Sequence, residues 1–350
     1  MTDPPQPPTP ALITIGRSSI DLYSQDVGKP LPEVRTIGAY LGGSPLNIAV
    51  GASRLGVDAA LVTAVGDDQV GDFILAGLER EGVSTDYIPR KAGTRTSAVI
   101  LAMQPPDRFP ITFYRDNAAD IQISIDDMQG VPIEGARALV VNGTALSKEP
   151  SRSAVLSACE RARAAGVPVY LDLDFRANQW HDPRAFGLTI RALLPNVDVV
   201  VGTEEEINAA MLRDPADITI RHNQMTAPEI RGDVAANTAA LLSRVPTVVV
   251  KEGERGCTVH RAGEEALSVP GFPVEVVSVL GAGDAFAAGL ITGRLRGWDW
   301  FRSARLGNAC GAIVVNRIGC ADFTPTQAEV DAFALEKGGW ECPTSPTLAR

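Results

Sequence analysis

The sequence predicts an α/β fold: a mostly parallel sheet covered on both faces by helices, with a small β lid. Three observations carry this. Short runs rich in Val, Ile and Leu alternate with helix-like runs along most of the 350 residues. Those β runs are apolar throughout, as strands buried on both faces must be. Two stretches, about 17–40 and 90–118, break the rhythm with alternating strands and turns, and so place extra β structure outside the main sheet.

The elements follow in order. "ALITIG" at 11–16 reads as the first strand. Ser44 and Pro45 supply an N-cap and an N1 proline for the helix "LNIAVGASRL", which stops at Gly56. "DAALVTAVG" reads as a strand, and "GDFILAGLEREG" as a helix ending at Gly82. Strand "RALVVNG" and helix "SRSAVLSACERARAAG" follow, then strand "PVYLDLD" and helix "PRAFGLTIRALLP". Strand "VDVVVG", helix "TEEEINAAML", helix "IRGDVAANTAALLSR" and strand "PTVVVKEG" continue the pattern. In "VVSVLGAGDAFAAGL", at 276–290, a β-branched stretch reads as the end of a sheet strand. It meets a glycine turn and a helix of about 282–295. No repeat or Gly/Ser linker divides the chain, so one domain is expected over 11–340. Short tails flank it at 1–10 and 341–350.

Composition narrows the function. A net charge of −10 argues against a nucleic-acid partner. Five scattered cysteines (Cys159, Cys257, Cys310, Cys320 and Cys342) without a Cys-x-x-Cys pair, and only three histidines, argue against a disulfide framework and a zinc site. "MTDPPQPPTP" lacks the basic and apolar regions of a signal peptide. No apolar run approaches the ~18 residues of a membrane span. A reducing, cytoplasmic setting is expected, with no membrane partner.

The glycine turn carries the chemistry. Gly281 and Gly283 let the backbone turn tightly and approach a ligand. The helix that follows points its first free N–H groups and positive dipole end at that spot, which suits phosphate. Asp284 sits inside the first turn. It reads either as a carboxylate favouring the helix dipole or as a base. A carboxylate inside an anion site makes chemical sense if it takes a proton from the hydroxyl that attacks phosphorus. The P-loop pattern is absent, and Phe286 stands where a dinucleotide fingerprint needs its third glycine.

"GAGDAF" at 281–286 resembles the C-terminal signature of the ribokinase-like (PfkB) carbohydrate kinases. "GGSPLNIAVGASRLG" at 42–56 resembles their N-terminal signature. Order and spacing agree over about 11–335. The resemblance implies a ribokinase-like three-layer fold, ATP as phosphoryl donor and Mg²⁺. "ITIGRSSIDLYSQDVG", "FYRDNAAD", "LDLDFR", "VVGTEEEIN" and "VLGAGDAF" are similar to the family's 5-dehydro-2-deoxygluconokinase branch. That branch acts in myo-inositol catabolism, and the likeness implies phosphorylation of the 6-hydroxyl of a linear keto-sugar acid. The 2-keto-3-deoxygluconate kinases share the Tyr-x-Arg stretch and are the nearest alternative. In another class, a sugar or nucleotide sensor without catalysis would have no use for Asp284.

The resemblance assigns roles. Asp284 matches the catalytic base, and Gly281, Ala282 and Gly283 match the anion hole. Asp21, Gly42, Gly43 and Asn47 match positions that hold substrate hydroxyls; Gly42 and Gly43 also read as a plain strand-to-helix turn. Arg115 is expected to grip the substrate carboxylate, with Asn117 and Asp120 nearby; the alternative is a solvated strand-end arginine. Asp172, Asp174 and Arg176 fall at a strand's functional rim, where Arg176 meets substrate charge or pairs with an aspartate. Glu205, in "GTEEE", matches the magnesium-associated glutamate with Gly202 in place of the usual Asn; it also reads as an acidic first turn. Lys251, Gly253, Gly256 and Asn308 match the nucleotide side. Ser278 stands where many relatives have an Asp of a monovalent-cation site, which leaves that cation open. The lid strands offer an edge through which two copies could pair.

Overall fold

The structure is a computed structural model that describes residues 9–104, 109–219, 228–337 and 339–340. Most of the two expected tails, together with Cys342, lies outside the described residues.

Eight strands form the main sheet. Their spatial order is Leu267–Pro270, Gly256–Arg261, Thr247–Lys251, Val199–Thr203, Val169–Asp172, Ala138–Asn142, Leu12–Ile15 and Ala59–Val62. The last six run parallel. Gly256–Arg261 and Leu267–Pro270 add an antiparallel edge. The apolar strands split their side chains between two cores, because alternate residues face opposite ways. Ile13, Leu139, Val141, Leu171 and Val200 pack on one face with Ala154, Phe186 and Ile207 of the helices Ser151–Ala165, Pro183–Leu193 and Glu204–Met211. Leu12, Val140, Tyr170 and Val201 pack on the other with Leu46, Leu78 and Leu290 of Ser44–Arg54, Gln69–Arg80 and Ala282–Leu295. The result is a three-layer arrangement, helices on both faces of one sheet.

A second sheet of four strands stands apart, in the order Ile37–Gly42, Ser19–Ser24, Ser97–Leu101 and Ile111–Tyr114. Among the described residues no helix is long and apolar enough to cross a membrane.

Three local readings change. The stretch read as one strand at 58–66 splits into Ala59–Val62 and Val65–Gly66, and the latter pairs with Arg90–Lys91. Residues 276–280 are not a strand. Only Val277 and Ser278 bond sideways, both to the carbonyl of Val315, so the β-branched run is an irregular segment beside a helix end. Finally, the cap of Ser44–Arg54 is Gly43, not Ser44. Gly43 has φ +108°, and a Cβ there would stand 2.3 Å from the Arg17 carbonyl oxygen, so only glycine fits.

Candidate active site

The C-terminal ends of the parallel strands share one rim, where ligands of such sheets bind. Register sets the spacing along it. Asp172 stands beside Asn142 on one neighbouring strand, and Thr203 stands beside Lys251 on the next pair.

Asp284 lies at the head of the helix Ala282–Leu295, after Gly281 at φ +74°. Its carboxylate is held on both oxygens. Ser44 Oγ donates to Oδ1 at 2.6 Å, and Asn47 Nδ2 donates to Oδ2 at 2.7 Å. Asn142 Nδ2 donates in turn to Ser44 Oγ at 2.7 Å. With Ser44 freed from capping, its hydroxyl becomes a link between the sheet and the acid. Burial and the nearby Asp174 push the Asp284 carboxyl above its ordinary range, against the pull of its two donors and Lys251. The N–H groups of Gly283 and Asp284 have no hydrogen bond among the described residues, as expected of a first helical turn. Ala282 N donates weakly to Val279 at 3.4 Å.

Asp21, on Ser19–Ser24, accepts from Ser19 Oγ at 2.6 Å and from the Tyr23 hydroxyl at 3.2 Å. Burial raises its carboxyl, and Asp284 adds to this, while Arg17, Ser19 and Tyr23 oppose it. Gly42 faces it so closely that a Cβ would come within 2.1 Å of the carboxylate. Asn47 is buried, and its Oδ1 has no hydrogen-bond partner among the described residues. Asp21, Gly42, Gly43, Asn47 and Asp284 thus meet in one place.

Asp172 and Asp174 flank the same rim. Asp174 holds φ +33°, a left-handed backbone that aspartate tolerates at a cost. Thr144 Oγ1 donates to it at 2.8 Å, and Arg176 pairs with it at 3.2 Å. The salt-bridge reading of Arg176 is therefore the one seen. Asp172 is pushed up to about 7: burial leads, and Glu206, Asp284 and Asp174 add to it against Lys251. Lys251 Nζ lies 3.6 Å from Asp172 and 3.7 Å from Glu206. Burial alone would lower its pKa, but the four carboxylates around it outweigh burial and hold it above the ordinary lysine value.

Two expectations are corrected. Glu205 is exposed on the helix surface. The glutamate that turns to the rim is Glu206, because Thr203 and Glu206 form a capping box: Glu206 accepts from Thr203 N at 2.8 Å and from Phe175 N at 3.2 Å. One position along a helix is a turn of about 100°, enough to aim Glu205 elsewhere. The second concerns Arg115, whose guanidinium is not open to a ligand. Its Nε and Nη2 both donate to Asp120 Oδ2, at 2.9 and 2.5 Å, and Nη1 donates to the Thr144 carbonyl at 3.1 Å. Arg115 is 3% exposed, and a buried ion pair holds the loop it begins. Asn117, at φ +49°, donates to the Gly93 carbonyl on the outside of that loop, in an exposed contact.

On the other side lies a cavity of about 490 Å³. Lys251, Gly253, Gly256, Gly283 and Asn308 line it, along with apolar groups such as Val279. Asn308 spends its amide N–H groups on the carbonyls of Val269 and Pro270, at 3.0 Å each, so it shapes the wall. Val276 and Val279 are about half exposed there. Ser278 is buried, and its hydroxyl accepts from Leu280 N at 3.2 Å.

The donors that face the rim are oxygens, as Mg²⁺ prefers. Among the described residues no trio of acidic, His or Cys side chains forms a ready cage. Asp172 and Glu206, which both face Lys251, are the rim carboxylates that could hold such an ion through water. Ser44, Asn142 and Glu206 were missed in the sequence. A polar residue ending an apolar strand marks Asn142, and the Thr-x-x-Glu spacing marks Glu206.

A glycine turn, a held carboxylate and a cavity large enough for a small-molecule ligand share one sheet rim, the arrangement a group-transfer site needs. The comparisons agree. The family model described as pfkB family carbohydrate kinase matches residues 10–327. A 5-dehydro-2-deoxygluconokinase of Geobacillus thermodenitrificans is 34% identical over 322 residues, covering 92% of this chain and 92% of the relative. A structure of a putative ribokinase II from E. coli, without ligand, superposes with a TM-score of 0.81 at 24% identity, over 93% of this chain and 99% of that one. A fructokinase of Xylella fastidiosa with bound ATP gives 0.78 at 25% identity, over 93% and 98%. This chain belongs to the pfkB family of carbohydrate kinases, and is a phosphotransferase acting on a sugar hydroxyl.

Proposed function

We propose that this enzyme transfers the γ-phosphoryl group of ATP to the 6-hydroxyl of 5-dehydro-2-deoxy-D-gluconate. The observation that carries the transfer is Asp284, gripped by Ser44 and Asn47 beside the Gly281 turn. The sugar identity is supported by the named relatives at 33–34% identity.

In this reading Asp284 Oδ2 or Oδ1 receives the proton of the attacking hydroxyl. Its raised carboxyl makes it a better proton acceptor than an ordinary aspartate. Asn47 and Ser44 fix its direction. The free N–H groups at 283 and 284 stabilise charge on the transferred group. Lys251 approaches the same turn: a Cβ on Gly283 would lie 3.2 Å from its Nζ. Mg²⁺, when bound, offsets phosphate charge, with Asp172 and Glu206 placed to hold its waters. Asp21 orients sugar hydroxyls, and the second sheet covers the sugar and excludes water.

The test is a kinase assay of the purified protein with ATP against 5-dehydro-2-deoxygluconate, 2-keto-3-deoxygluconate, fructose and ribose. The expected result is a kcat/KM highest for the first. Preference for 2-keto-3-deoxygluconate or a neutral sugar would replace the substrate assignment.

A further inference from the structure

Three cations around the rim are already neutralised by the protein. Arg115 is paired with Asp120, Arg176 with Asp174, and Lys251 with Asp172 and Glu206. Arg17 is different. It follows the first strand of the main sheet, two residues past its end, and is 8% exposed. Among the described residues no carboxylate lies within ion-pair distance of it. Its Nη1 donates to Ser19 Oγ at 2.6 Å, and Ser19 passes the contact on to Asp21. Its Cζ lies 5.1 Å from the ring centre of Phe113, on the second sheet. Among the described residues the buried Nε has no partner and Nη2 makes no hydrogen bond.

Asp21 reaches this guanidinium only through Ser19, so the Nε–Nη2 edge has no anion of its own, which is costly at a buried site. The cost makes sense if a ligand supplies the anion. The unpartnered edge is Nε–Nη2, the same edge that Arg115 fills with a carboxylate. Phe113 backs the guanidinium, Ser19 holds its other end, and a planar two-oxygen group fits the side that is left. The charge balance also selects. Asp21 is near both Arg17 and Asp284. One cation among two acids leaves the pocket net negative, so a monoanion meets less repulsion there than a phosphate dianion would.

We infer that Arg17 is the specificity residue that binds the carboxylate of a sugar-acid substrate, the role that Arg115 cannot fill while it holds Asp120. This rests on the sugar-acid kinase reading above and names the group that enforces it. It also assigns a job to the 17–19 turn: Ser19 ties the acid-binding arginine to the hydroxyl-binding Asp21, so the two ends of one substrate are read by one short segment.

The experiment compares wild type, Arg17→Met and Arg17→Lys on two substrates. These are 5-dehydro-2-deoxygluconate and its neutral analogue with the carboxylate reduced to a hydroxymethyl group. In Arg17→Met, KM for the acid should rise about 10²-fold, as expected for loss of charge-assisted bonds, with kcat and KM for ATP changed little. KM for the neutral analogue should stay within about 3-fold, so that acid preference disappears. Arg17→Lys keeps the charge but not the fork and should fall between the two. It also keeps the test valid if the methionine variant melts early. A wild-type acid preference that survives intact in both variants overturns the role of Arg17 and leaves the kinase reading standing. A wild type that phosphorylates only the neutral analogue overturns the sugar-acid reading, and the role of Arg17 with it.

Discussion

Ser44 Oγ reaches Asp284 Oδ1 at 2.6 Å across 240 positions of sequence. The bond joins the helix Ser44–Arg54, which follows strand Ile37–Gly42, to the helix that follows the Gly281 turn. It also links Asp284 to Asn142 at the end of a central strand. Asp284→Asn should therefore fold and bind ATP, yet lose at least ~10²-fold in kcat, the scale of general-base catalysis. Ser44→Ala should lose less, about 10-fold, because Asn47 still holds the other oxygen. Steady-state kinetics with an ATP-binding titration check both. Near-normal turnover in Asp284→Asn would remove it as the base.

The raised carboxyls set a pH dependence. Asp284 must be deprotonated to accept a proton, so kcat/KM should rise with pH through a value above the ordinary 3.8 of aspartate. Stability runs the other way. A carboxyl raised in the fold binds more protons there than when unfolded, so its contribution is full below the unfolded pKa and is lost as pH rises through the folded one. For Asp172 that window runs from 3.8 to about 7. Thermal melts across it should show Tm falling with pH in the wild type. The fall should be shallower in Asp284→Asn; an equal slope in that variant would discount the raised value of Asp284.

Glu206 and Glu205 make a paired test. Glu206→Gln should raise the Mg²⁺ concentration needed for half-maximal rate by about 10-fold, since the metal keeps few carboxylate contacts to begin with. Glu205→Gln should stay within about 2-fold, because that side chain is exposed. A metal titration of the rate decides it, and the opposite order would restore Glu205.

Gly42→Ala probes close approach. Its Cβ would overlap the Asp21 carboxylate, which must move. Overpacking of this kind costs about 2 kcal/mol. The expected reading is a lower denaturation midpoint and a higher KM for sugar, with KM for ATP unchanged. An unaffected sugar KM would separate Asp21 from the substrate.

The layered fold was legible because each strand of the parallel core is apolar on both faces, and "ALVVN" or "TVVV" can sit nowhere else. The place of Asp284 at the candidate site was legible because glycines and an acid at a helix mouth on a sheet rim mark where ligands bind. Other features were hidden for physical reasons. The β-branched 276–280 run looks like a strand, but it finds no ladder beside the Val315 turn. Glu205 and Glu206 differ by one position, and only the bond from Thr203 chooses between them. Arg115 looks like a free cation until the turn after it brings Asp120 back against it.

The order of the strands has one more consequence. Three strand spacings, about 14 Å, separate the strand ending at Asn142 from the strand ending at Lys251. On the proposed reading the pleated ladder is a fixed ruler between the Asn142–Ser44–Asp284 chain that faces the acceptor and Lys251 on the donor side. Changes at Arg17, Asp21 and Gly42, which lie off this ladder, would on that reading retune the sugar end without disturbing the end proposed to hold the nucleotide. Divergence in sugar preference across such enzymes would then leave their dependence on ATP concentration nearly constant.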